Sequence, residues 1–200
     1  TYHFEKTTEQ ETAANATIPV FRITAANAGN RADFQENIEL NFTRTGGHLI
    51  FLMNDRHLGQ ATISEEEGIA AAETFLLDAG FPNMSPTYIT NQDNALTIAY
   101  VYTEKGVLVY PDQVKVKVAL DNGQIVGFEA ASYFMSHHTR NWETPALDAS
   151  TARKSIIALP SPDEGRLALI PTPSGGEVLC YEFRGEINGK TYLVYIDANT

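Results

Sequence analysis

Cysteine is nearly absent from this 200-residue chain: Cys180 stands alone, so no internal disulfide can staple the fold. Basic residues are also scarce, 14 against 25 acidic ones, for a formal net charge of −11. That balance argues against non-specific binding to nucleic acid or to anionic lipid, both of which require basic patches. No apolar run approaches the roughly 18 residues that span a bilayer. The opening Thr1-Tyr2-His3-Phe4-Glu5-Lys6 has neither the basic stretch nor the apolar core of a signal peptide. It also lacks an initiator methionine, so the chain reads as a processed piece, with any anchor or export signal lying upstream. HExxH, CxxC, an EF-hand loop, a Gly-x-Ser-x-Gly elbow and a Gly-rich phosphate loop are all missing.

What is present is the composition of a folded protein, 43% apolar and 20% charged. Ser64-Glu65-Glu66-Glu67 is a capping-box signature, and three acidic residues suit the positive end of a helix dipole. Ile69, Ala72, Phe75, Leu76 and Ala79 recur at helical spacing, and Gly80 follows where a C-terminal cap belongs. An amphipathic helix is therefore expected over 64–79. Strands are expected over 95–103, 107–110, 114–119 and 124–130, with a turn at Tyr110-Pro111-Asp112-Gln113 and a hairpin at Asp121-Asn122-Gly123. Val114, Val116 and Val118 alternate with Lys115, Lys117 and Ala119, which gives that strand one wet face.

The plan recurs in the last third. Asp148 caps a short helix through Ile157; strands follow at 166–171 and 177–184, and Ile187-Asn188-Gly189-Lys190 turns into a strand over 191–197. Both faces of Tyr192-Leu193-Val194-Tyr195-Ile196 are apolar, which predicts a sheet covered on both sides. The first third shows strands at 19–24, 37–44 and 48–53, with Gly46-Gly47 as a turn and a helix remnant over Glu5–Ala14. The fold expected is thus α+β, with three tandem repeats at 1–61, 62–140 and 141–200. Each is an amphipathic helix packed on an antiparallel sheet, the first helix being truncated or diverged. Units of this size bury little surface alone and should pack on one another. Residues 62–140 carry four basic and ten acidic side chains, a net of −6, so over half the charge falls there.

Few residues invite chemistry. His137 and His138, if they end a strand, point to opposite faces and do not share an ion. Cys180 lies in the apolar run Val178-Leu179-Cys180-Tyr181 and reads as a buried thiol. Glu65, Glu66 and Glu67 are explained by the helix start, and Asp163-Glu164 by a Pro-rich loop open to water. Catalytic, cofactor and metal residues are therefore assigned to none, and partner contact is assigned to no particular residue. Tyr88, Tyr100, Tyr102, Tyr110, Tyr133, Tyr181, Tyr192 and Tyr195 lie on or beside strands, where they either fill seams between repeats or line a partner groove.

The segments over 62–140 and 141–200 resemble PepSY domains. More narrowly, Phe81-Pro82-Asn83-Met84, Val107-Leu108-Val109-Tyr110-Pro111-Asp112 and Lys115 through Gly123 resemble the C-terminal region of YpeB-type spore germination proteins. Gly127-Phe128-Glu129-Ala130, Arg166 through Thr172 and Glu177 through Phe183 extend the likeness. It is strong over 62–200 and weak over the first sixty residues, where Leu52-Met53-Asn54-Asp55-Arg56 matches best. It departs at the start and at the Pro-rich loop 159–165.

The resemblance implies a non-enzymatic module outside the cytoplasm, on the cortex side of the spore inner membrane, in a protein anchored upstream. It implies a protein partner, a spore cortex-lytic enzyme, which the module stabilises, restrains or both during sporulation and germination. It implies no cofactor and no nucleic acid. An acidic surface would attract a basic, wall-binding hydrolase. The competing readings are a wall-binding or structural spacer and a glycan hydrolase using two carboxylates. The loop at 141–146 is expected to be open to proteases.

Overall fold

The computed structural model describes residues 2–13, 16–27, 36–157 and 159–200. The chain divides into two compact units, Thr1–Val101 with Asp112–His137, and Tyr102–Pro111 with His138–Thr200. The architecture is α+β, rich in strands and poor in helix.

The larger unit opens with β1 (Tyr2–Ala13), β2 (Ala16–Asn27), β3 (Asn37–Thr43) and β4 (Leu49–Asn54). These pair antiparallel in chain order. The helix remnant expected over Glu5–Ala14 is instead strand, Ala14 itself lying outside the described residues. Its register, from Tyr2↔Asn27 to Ala13↔Ala16, is set by pairing along the whole of β2. Thr7 and Thr8 are β-branched and favour this outcome. Lys6 lies over the ring of Phe21 across the pair, 4.2 Å from its centroid.

Next come α1 (Glu65–Asp78), β5 (Met84–Gln92), β6 (Ala95–Glu104), β7 (Val107–Ala119), β8 (Ile125–Glu129) and the short α2 (Ala131–Ser136). The predicted capping box is present in both directions: the Glu67 amide donates to Ser64 Oγ at 3.2 Å, and the Ser64 amide donates to Glu67 Oε2 at 2.8 Å. Ala72 and Leu76 are buried, and the helix lies on a core of Leu96, Ile98, Tyr100, Val114, Val116, Val118 and Phe128. Gly68 lets it come close, because a Cβ there would stand 3.1 Å from Leu96 Cδ2 and 3.2 Å from Leu120 Cδ2. β8 pairs antiparallel with β4 on one side and with β7 on the other.

Two features of this unit differ from the sequence reading. No turn forms at Tyr110–Gln113, since β7 runs unbroken from Val107 to Ala119. Pro111 falls between Leu108–Val109, paired with a later strand, and Lys115–Val118, paired with β8, so its missing N–H interrupts neither ladder. β5 has no counterpart in the sequence reading: it is mostly exposed and shows no clean apolar alternation. Its hairpin to β6 is made by Asp93 and Asn94, both at positive φ (53° and 60°).

The smaller unit holds the first residues of β7, then α3 (Ala149–Lys154), β9 (Arg166–Pro171), β10 (Glu177–Ile187) and β11 (Lys190–Asp197). β9 runs parallel to β7 at Leu108↔Ala168 and Val109↔Leu169, while β9–β10 and β10–β11 are antiparallel. Val107, Val109, Ala152, Leu169, Leu179, Tyr181 and Phe183 form its core. Asp148 accepts from the Thr151 amide as predicted, but α3 stops three residues short of Ile157, which is 97% exposed. β11 is not covered on both faces. It pairs with β10 alone among the described strands, and Tyr192 and Leu193 are 44% and 43% exposed.

Candidate functional site

The ionisable side chains singled out in the sequence are largely engaged by neighbours. His137 and His138 follow α2 rather than a strand, so the opposite-face argument does not apply to them. The His137 amide closes α2 on the Tyr133 carbonyl. Its ring stacks on Tyr133 at 4.4 Å between centroids, and Nδ1 lies 2.7 Å from Oδ2 of the fully buried Asp112. No group of three or more His, Cys, Asp or Glu converges on a point among the described residues. Cys180 is 3% exposed, and burial pushes its thiol above the ordinary range. Glu65 accepts from Asn91 Nδ2 at 2.7 Å. Asp163 and Glu164 are exposed, as their loop suggested, and Asp163 accepts from the amides of Gly165 and Arg184 at 3.1 and 3.0 Å.

Two carboxylate clusters lie in the smaller unit, one buried at Glu182 and one nearer the surface at Glu177. Glu182, 2% exposed, receives Arg166 Nε at 2.9 Å and the Tyr110 hydroxyl on its other oxygen. Tyr195 meets Tyr110 edge to face, 6.0 Å between centroids. Burial and the nearby Glu182 charge raise both phenols above their ordinary range. Arg140 grips Glu177 with two nitrogens, Nε at 2.9 Å and Nη2 at 2.8 Å. That contact, with Trp142 packed on the core, ties down part of the loop expected to be protease-accessible. In each pair one member is buried, Glu182 or Arg140, and is matched by an opposite charge that reaches it from the surface. The tyrosines divide likewise: Tyr100 and Tyr181 are buried in the cores of their own units, whereas Tyr88 and Tyr192 are 66% and 44% exposed.

A different kind of feature lies in the larger unit, a groove of about 420 Å³ on the face of the sheet made by β4, β8, β7 and Thr97. Two cross-strand rows build it. Phe51 stands opposite Glu129, and Glu129 opposite Lys115; Met53 stands opposite Gly127, and Gly127 opposite Lys117. Partners in register share a face, so all six positions open on the groove. In the first row Lys115 Nζ lies 3.5 Å from Glu129 Oε2. In the second the middle position has no side chain, and a Cβ there would meet Lys117 Cβ at 3.0 Å. Apart from reading Lys115 and Lys117 as a wet face, sequence reasoning missed this site. Gly127 inside a strand was the available signal, since such a glycine marks a bulge or a close approach. A bulge is indeed present, between Lys117 and Val118.

Residues 3–143, groove included, match the family described as YpeB sporulation, PepSY1 and PepSY2 domains. The chain belongs to that family. The match takes in residues 3–61, where Leu52 through Arg56 carries the best local resemblance. The sporulation protein YpeB of Halalkalibacterium halodurans is 41% identical over 164 residues, 82% of this chain and 37% of that protein. The Bacillus subtilis sporulation protein YpeB is 34% identical over 168 residues, 83% of this chain and 37% of its own length. The chain therefore spans well under half the length of these YpeB relatives. Among solved structures, the Bacillus megaterium YpeB C-terminal domain superposes with a TM-score of 0.84 at 29% identity, covering all of this chain and 85% of that one. The β9–β11 unit lies mostly beyond the family match but within this structural likeness to YpeB.

Proposed function

We propose that this chain is a non-enzymatic module that binds a spore cortex-lytic peptidoglycan hydrolase and stabilises or restrains it, on the extracytoplasmic, cortex side of the spore inner membrane. Membership of a sporulation family supports the setting. The observation that carries the reading is that Glu182, Glu177 and Asp112 face Arg166, Arg140 and His137, while the large groove is open and lined mainly by strand side chains. That is a surface for contact rather than a centre for proton transfer. The repeats at 1–61, 62–140 and 141–200 belong to the same proposal. It is supported by a capped helix followed by antiparallel strands in the second segment, and by α3 with β9–β11 in the third.

The test is binding between the purified chain and the hydrolase, with cortex digestion followed in parallel. Complex formation at 50 mM salt, weakened at 500 mM, with altered digestion is the expected outcome. No complex at low salt and unchanged digestion overturns the reading, as does cortex turnover by the chain alone. Pelleting with insoluble cortex in the absence of hydrolase would point to a wall-binding spacer instead.

A further inference from the structure

The two rows of the groove differ in one respect that bears on what it holds. In the first, Lys115 has Glu129 beside it. In the second, Lys117 stands at the equivalent place, and the position that would carry its carboxylate is Gly127. Lys117 is exposed and has no acidic partner among the described residues. The other carboxylate lining the groove is occupied elsewhere, for Asp55 Oδ2 accepts from Asn37 Nδ2 at 2.8 Å and Asp55 lies beyond the rows. Across Gly127 from the ammonium lies Met53, 41% exposed, with Phe51 next to it. The groove thus offers one cation with no carboxylate across from it, a glycine too closely approached by Lys117 to carry one, and the exposed Met53, in that order across three strands.

We propose that this groove holds an extended segment of a partner protein, with an acidic side chain against the Lys117 ammonium and an apolar side chain two residues away against Met53, beside the partly buried Phe51. Strands lie about 4.8 Å apart, so Met53 and Lys117 are separated by about 10 Å; side chains two residues apart in an extended chain lie about 7 Å apart, and the length of the Lys117 side chain spans the remaining ~3 Å. The ligand's carboxylate completes the second row as Glu129 completes the first. Its apolar side chain covers the Met53 thioether, which otherwise faces water, beside the partly buried Phe51. An inorganic anion would satisfy Lys117 but leave Met53 exposed, and a purely apolar segment would cover Met53 and leave the cation unpaired. The inference names a contact within the partner-binding reading and rests on it. Because the assay below contains no hydrolase, its failure leaves that reading standing.

The probe is a fluorescein-labelled octapeptide, Ser-Gly-Leu-Ser-Glu-Ser-Gly-Ser, titrated with the full 200-residue chain by fluorescence anisotropy. Its controls carry lysine for glutamate or alanine for leucine. The expected result is saturable binding that falls at least tenfold with the lysine control and severalfold with the alanine control. Lys117→Glu should weaken binding at least tenfold, whereas Lys117→Arg retains it. Because Lys117 is exposed, neither substitution disturbs the core. Gly127→Val, whose side chain would press on Lys117 and displace it, should abolish binding; circular dichroism checks that it folds. Equal binding of the acidic and basic peptides, unchanged binding by Lys117→Glu, or no binding at 1 mM peptide overturns the proposal. So does sedimentation showing a dimer that Lys117→Glu dissociates and the peptide does not, since the occupant is then a second copy.

Discussion

Arg56 and Asp121 are 65 positions apart in sequence and meet through two hydrogen bonds, Nη1 to Oδ2 at 2.8 Å and Nη2 to Oδ1 at 2.7 Å. The Gly59 amide adds a third to Oδ2 at 2.8 Å, and the Arg56 guanidinium holds the Asp121 carboxyl well below the usual carboxylate range. A depressed value in the folded state means that the stabilisation is fully present above the unfolded value, near pH 4. It is lost as pH falls toward the folded one. Asp121→Asn should therefore cost about 1–2 kcal/mol at pH 7, both side chains being mostly shielded from water. The difference from the unchanged chain should shrink below about pH 4. Urea unfolding at pH 7, 5 and 3 measures both effects, and a deficit that persists undiminished at pH 3 contradicts the assignment. None of this is legible in sequence, because an arginine and an aspartate so far apart carry no mutual signal until β4 and the β7–β8 turn are placed.

At the scale of the element, α1 was legible because each of its determinants is local. Ser64 and Glu67 cap each other within one turn, and the 3.6-residue period of Ala72, Leu76 and their neighbours needs no knowledge of the sheet. Ser64→Ala removes the side-chain acceptor for the Glu67 amide and should destabilise the larger unit by about 1 kcal/mol. Thermal unfolding followed at 222 nm should show a midpoint lowered by a few degrees; an unchanged midpoint would mean that the box contributes nothing. Strands were less transparent for the opposite reason. β1 and β5 carry weak local patterns and exist by virtue of the strands beside them. In β11 the local pattern was clear but its meaning was not. Apolar side chains on both faces say that the strand tolerates cover, and only the fold shows that Tyr192 and Leu193 lack it.

At the scale of the whole molecule, each compact unit has a core made of its own residues. Leu76→Ala should cost about 2–4 kcal/mol and speed amide exchange in β6 and β8, while Phe183→Ala should do the same in β9 and β10. Exchange read by mass spectrometry that rises everywhere for either substitution would contradict separate cores. The net charge of −11, by contrast, is a property of composition and was available from the start. So were the α+β class, the capped helix, the hairpins at Asp121-Asn122-Gly123 and Asn188-Gly189, and the wet face of Lys115 and Lys117. All of these are written within a few residues, at the range over which dihedral preference, capping and side-chain period act. The parallel pairing of β7 with β9, the ion pairs of Arg56, Arg140 and Arg166, and the groove at Gly127 were decided only by tertiary structure. Each requires strands distant in sequence to lie side by side in one register, and a shift of one residue would turn Met53, Gly127 and Lys117 to opposite faces.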